Sequence, residues 1–95
     1  MNPKDKLSIT DWALEDRPRE KMMTKGIRAL SDAELIAILI GSGNKNETAV
    51  ELSQRILNSV NGKLSDLGRM TVQDLKDGFN GIGDAKAISI LAAVE

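Results

Sequence analysis

The chain has 95 residues and a formal net charge of −1, with neither Cys nor His. That length suits one domain and is too short for two, and the missing residue types leave no thiol chemistry, no disulfide and no usual ligand for zinc or another transition metal. No apolar run approaches the roughly 18 residues of a membrane span, and Met1 to Lys6 are not followed by the apolar stretch of a signal peptide, so the expectation is a soluble cytoplasmic protein.

The apolar residues are nearly all aliphatic, with Trp12 and Phe79 the only aromatic ones. Such a composition favours helix packing over sheet, and the predicted fold class is all-α. Residues 1–16 read as an extended or irregular N-terminal arm, whose Trp12 is expected to pack onto the helices rather than to stack on a base. Residues 17–95 form the helical domain. Arg17-Pro18 suits a helix start, because Pro fits the first turn, and Gly26 is placed to stop that helix after Lys25. Ser31 and Glu34 have capping-box spacing, with Leu30 and Leu35 at the staple positions around it. This second helix runs from Asp32 to about Ile40 and meets Gly41-Ser42-Gly43. Residues from about Glu47 to Val60 carry a helical stripe of Val50, Ile56, Leu57 and Val60, ended by Asn61-Gly62. Leu64 and Leu67 predict a short helical turn. Thr71 with Asp74 repeats the cap, Met70 with Leu75 repeats the staple, and that helix meets Gly81-Ile82-Gly83. The last helix, Asp84 to Glu95, is apolar on most faces. It ends without cap, Gly or Pro, which suggests a chain cut at that point.

Residues 30–43 align with 70–83 at an offset of 40 without a gap, pairing Ser31 with Thr71, Glu34 with Asp74, Gly41 with Gly81 and Gly43 with Gly83. Duplication predicts tandem helix-hairpin-helix-like units, the first degenerate and the second well formed, packed about a pseudo-two-fold axis. Capping boxes and Gly-x-Gly turns are common enough that convergence stays open as the alternative.

The second unit, at about 71–95, carries the functional expectation. Gly81-Ile82-Gly83 followed by Ala87 has helix-hairpin-helix spacing. Glycines permit positive φ and let a phosphate approach the backbone, the free N–H groups and dipole of the next helix favour an anion, Ile82 pins the turn inward, and Ala87 allows close helix contact. The expected phosphate-binding residues are Gly81, Ile82, Gly83 and Lys86. None of them reads bases, so the expected partner is DNA, duplex or branched, bound weakly and without sequence preference. Asp84 and Asp77 oppose an anion there. Gly41 and Gly43 with Lys45 form a possible second hairpin, for which a purely structural role is the simpler reading. Arg17, Lys21, Lys25 and Arg28 recur every three or four residues as a possible basic stripe, or an ordinary solvated face. Residues 1–28 hold seven basic and five acidic side chains, and residues 29–95 six basic and nine acidic; DNA contact would rest on local geometry, not on a broad positive field.

Arg17-Pro18-Arg19-Glu20-Lys21, Ala29 to Ile40 with its Leu-Ser-Asp-Ala-Glu-Leu block, and Gly81-Ile82-Gly83 with Lys86-Ala87 resemble the N-terminal region of RadC-like proteins over nearly the whole chain. That family is named for DNA repair. The resemblance implies a longer protein continuing into a JAB/MPN metalloprotease-like domain with zinc held by His and Asp, so zinc is expected only there. No catalytic residue of that domain transfers to any position here, and the chain is not expected to be an enzyme or to hold a cofactor or metal. Asp84 departs from the Pro common among RadC-like proteins. The implied role is a DNA-binding module that positions its own C-terminal domain. The alternative is a protein-interaction or scaffold domain that keeps the fold without binding DNA.

Overall fold

The computed structural model describes residues 17–95; the expected arm and Trp12 lie outside them. The described residues form six α-helices and one 3-10 turn, with no strand. The all-α expectation is met.

Helix α1 covers residues 17–25. Gly26 follows at φ 87° and donates its N–H to the Met22 carbonyl. A 3-10 turn, Ile27–Ala29, leads to α2, Asp32–Ile40. The expected capping box starts α2: the Glu34 N–H donates to Ser31 Oγ at 3.2 Å and the Ser31 N–H donates to Glu34 Oε1 at 3.0 Å. Helix α3 spans Ala49–Ser59, starting two residues later than the apolar stripe predicts. Thr48 is the reason. It stands in extended backbone and forms its own capping box with Glu51, which leaves Glu47 in the preceding loop. Asn61 and Gly62, both at positive φ, end α3 as expected. Helix α4 is the short turn Leu64–Leu67, α5 is Val72–Gly78 with the Thr71–Asp74 box, and α6 is Asp84–Val94.

Helices α2 and α6 organise the packing. Helix α2 lies mainly on α3 and also on α6, while α5 and α4 pack against α6. Leu52, Ile56, Leu67, Leu75 and Ile90 are fully buried where these surfaces meet; each such aliphatic side chain contributes about 1.5–3 kcal/mol. Ala33, Ala37, Ala49 and Ala87 are buried beside them and keep the helix surfaces shallow enough to interlock. The Pro18 side chain of helix α1 is buried, and α1 is tied to α2 by a Lys21–Glu34 ion pair at 3.1 Å and by an Arg19 guanidinium donating to the Ile38 carbonyl at 3.4 Å.

The tandem-repeat expectation needs correction. Helices α2 and α5 begin at matching positions, Asp32 and Val72, but α2 runs to Ile40, directly before Gly41, whereas α5 stops at Gly78, three residues before Gly81. The Gly41 N–H still makes a helical bond to Ala37 O, while the second turn is closed by the Ile82 N–H donating to Phe79 O. The following helices differ too, since α6 starts next to Gly83 and α3 only at Ala49. The two segments are different helix-plus-turn units, and the sequence offset alone does not establish duplication.

Candidate functional site

The second hairpin keeps some of the predicted features and not others. Phe79 leaves α5 in extended backbone, Gly81 turns the chain at φ 96°, and Ile82 is buried. A side chain at Gly81 would also crowd Asn44 Cβ at 3.1 Å and Gly43 O at 3.3 Å. Gly83 is different. Its φ is −102°, open to any L residue, and an added Cβ would meet nothing within 4 Å. Neither backbone nor packing therefore requires glycine there. Gly83 is the N-cap of α6 and supplies no side-chain cap, so the first-turn N–H groups of Asp84, Ala85 and Lys86 lack an intrahelical acceptor. Ala87 is fully buried, as the close helix contact needs.

The first hairpin is locked against the second. An added Cβ at Gly43 would stand in the Glu47 carbonyl oxygen and 2.6 Å from the Thr48 carbonyl carbon. That close approach is what glycine serves there. Asn44 Oδ1 accepts from the N–H groups of Asn46 and Glu47, and Asn44 Nδ2 donates across to the Asn80 carbonyl at 2.8 Å. Lys86 Nζ donates to the carbonyl oxygen of Ser42 at 3.0 Å and to its Oγ at 3.1 Å. Arg55 makes a bidentate pair with Glu47, at 2.8 and 2.9 Å, and lies 5.2 Å from the centre of the Phe79 ring. Residues 41–43 and 81–83, separate candidates in the sequence, thus share one surface.

Charge at this surface is largely compensated. Asp84 pairs with Lys76 at 2.7 Å, and the hydrogen bond from Lys76 to that carboxylate raises the lysine pKa. The Arg55 hydrogen bonds hold the Glu47 carboxyl below its ordinary range, helped by Asn44. Asp77 accepts from Gln73 at 2.7 Å, and Lys45 is exposed. The proposed basic stripe divides: Arg17, Lys21 and Lys25 lie on α1 around a shallow polar recess with Glu20 and Glu34, whereas Arg28 sits on the 3-10 turn beyond Gly26. A single helix face does not carry all four.

Sequence reasoning missed the residues that join the hairpins, namely Ser42, Asn44, Glu47, Arg55 and Asn80, and Lys76, which pairs with Asp84 within the second hairpin. Two local signals were available, the Thr48-x-x-Glu51 capping spacing and the turn-forming Asn44-Lys45-Asn46. The cross-hairpin partners carry no local signal. Among the described residues, no three or more Asp or Glu side chains group as metal ligands, and no helix is long and apolar enough to cross a membrane.

Comparison with known proteins agrees with the sequence resemblance. The UPF0758 N-terminal family matches residues 9–88. A UPF0758 protein of Flavobacterium johnsoniae is 60% identical over 88 residues, covering 93% of this chain and 38% of the relative. One from Porphyromonas gingivalis is 51% identical over 89 residues, covering 94% and 39%, and one from Clostridioides difficile is 44% identical over 89 residues, covering 94% and 37%. The chain thus spans well under half the length of the curated relatives it matches. No solved structure matches it. The chain belongs to the UPF0758 family, the RadC-like family that its Leu-Ser-Asp-Ala-Glu-Leu block resembles, and corresponds to the N-terminal region of that family.

Proposed function

We propose that this region is a sequence-independent DNA-binding module that grips backbone phosphate at the second hairpin. The observation that supports this reading is the start of α6: first-turn amides without a side-chain cap, beneath a glycine whose missing Cβ leaves open space. A phosphate oxygen there would receive those N–H groups and the positive end of the helix dipole. Ile82 and Ala87, both buried, would keep the amides fixed while it binds. Lys86 would add a charge after exchanging its Ser42 contacts for the phosphate. In a longer protein the module would bring its remaining polypeptide, which the RadC-like resemblance makes a zinc metalloprotease-like domain, to DNA in the cytoplasm.

A second reading is favoured by one specific observation. Two ammonium groups of the second hairpin are already engaged, Lys86 with Ser42 and Lys76 with Asp84. On that reading the domain is a protein-interaction or scaffold module that keeps the fold without DNA.

Titration of duplex and branched DNA at low salt separates the two. Binding should be weak, indifferent to sequence, and shallow in its salt slope, about −0.9 per phosphate neutralised. Gly83→Ala should weaken it without unfolding the protein, because the added methyl meets only the space the phosphate would fill. Absence of binding, or binding unchanged by both Gly83→Ala and Lys86→Ala, leaves the scaffold reading standing.

A further inference from the structure

An open apolar groove of about 370 Å³ lies on α2 between the α1 end, α4 and the α6 end. Met22, Ile27, Leu35, Leu39, Leu64 and Val94 line it, with Asp32 the one charged residue in its wall among the described residues. Ile27 is 55% exposed, Met22 40% and Leu39 39%, so large apolar side chains converge here and remain wet. Contiguous exposed apolar surface of this kind marks a place where another surface sits.

The position of the groove identifies the occupant. Its wall includes Ala93 and Val94, the last two residues of α6. The matching relatives continue for more residues than the match covers, since the aligned part makes up only 38% or 39% of two of them and the family match is to an N-terminal region. That remainder is long enough for a domain. Polypeptide following α6 therefore emerges beside the groove. Helix α6 points the same way. It is apolar on most faces, yet only one side is buried: Ile88 is 56% exposed, and Ala92, one turn later on the same side, is exposed as well, as is Ala93. A helix apolar all round is normally enclosed. We propose that the groove and the exposed side of α6 seat the polypeptide that follows α6 in the longer family members, fixing the orientation of that part against this one. This does not rest on DNA binding, and its test reads no DNA.

The test compares methyl NMR spectra of this chain alone with those of the same chain grafted, in place of the matching 88 residues, onto the full-length Flavobacterium johnsoniae relative. The Ile27, Leu39 and Ile88 methyls should shift and lose solvent accessibility in the graft. Leu39→Asp in the graft should raise the rate of limited proteolysis just after residue 95 by about tenfold, because cleavage follows the population of the undocked form. Identical methyl spectra in the two proteins overturn the proposal without any substitution being needed. So does a concentration-dependent shift of the same methyls in the isolated chain that grafting leaves unaltered, which would make a second copy the occupant.

Discussion

The Lys86 ammonium reaches back 44 residues in sequence to the carbonyl and hydroxyl oxygens of Ser42. One side chain thus ties the start of α6 to the loop after α2, at the edge of the candidate phosphate site. Lys86→Ala should cost about 1 kcal/mol in chemical denaturation, the usual scale of a partly exposed hydrogen bond. If DNA is bound at this hairpin, the same variant should reduce the salt slope by about one. A stability loss with an unaltered slope would make Lys86 a purely internal tie.

Asp84→Asn tests the opposite charge. Asn keeps a side-chain acceptor in the first turn but releases Lys76, whose pKa should fall back toward its ordinary value once the carboxylate is gone. DNA affinity at low salt should rise, because a negative charge leaves the site and a positive one is freed. NMR titration of Lys76 together with fluorescence anisotropy checks both parts; unchanged affinity counts against the hairpin as the contact.

The two second-position glycines should respond in opposite ways. Gly43→Ala forces a methyl into the Glu47–Thr48 backbone, and strain of that kind costs about 3 kcal/mol. Gly83→Ala meets open space and should cost under about 1 kcal/mol, the loss expected at an N-cap. Thermal unfolding of the pair decides it. Equal destabilisation would contradict the local geometry.

Acid should unfold the protein by way of its capping and loop carboxylates. The Ser31 N–H, and then Lys21, hold the Glu34 carboxyl below its ordinary value of 4.5, and Arg55 does the same for Glu47. The folded state then binds fewer protons than the unfolded state in acid. The contribution is complete above the ordinary glutamate value and is lost as pH falls through the depressed one. Denaturation midpoints followed downward from pH 6 should decline below about pH 4.5, and Glu34→Gln should flatten part of that decline.

Ser53 is the reverse case. Its hydroxyl is fully buried and has no hydrogen-bond partner among the described residues. Ser53→Ala removes an unsatisfied polar atom and improves helix propensity. The midpoint of thermal unfolding should hold or rise, by about 5 °C for a gain of about 1 kcal/mol. A clear fall would mean that the hydroxyl is bonded in solution.

The starts of α2 and α5 were readable because each is written within four residues. Ser31 with Glu34 and Thr71 with Asp74 cap α2 and α5 as their spacing predicts, and Asn61-Gly62 ends α3 where expected. The start of α3 was misplaced by two residues because its apolar stripe outweighed the equally local Thr48–Glu51 signal. The equivalence of the two Gly-x-Gly segments failed for a different reason. Identical residues at a fixed offset do not determine where a helix ends; tertiary contacts do, and Phe79, packed beneath Arg55, ends α5 early. Pairings across 36 and 44 residues, Asn44 with Asn80 and Lys86 with Ser42, have no periodicity by which sequence could announce them. The burial of Ile82 and Ala87 and the positive φ of Gly81 were legible in the sequence, whereas the surroundings of Gly83 were not: only its negative φ and the empty space around it separate a glycine needed for its turn from one that is not.

The lock between the hairpins also governs how the molecule comes apart. Four helices near the two loops are built from neighbouring residues, and such short-range structure forms quickly. Asn44–Asn80, Lys86–Ser42 and Arg55–Phe79 form only when both halves are already in place. Neither half should therefore persist as an independent foldon. Amide exchange in α2 and α3 should slow and quicken together with that in α5 and α6 as denaturant is varied, and a break within the Asn44 turn should be felt at the start of α6.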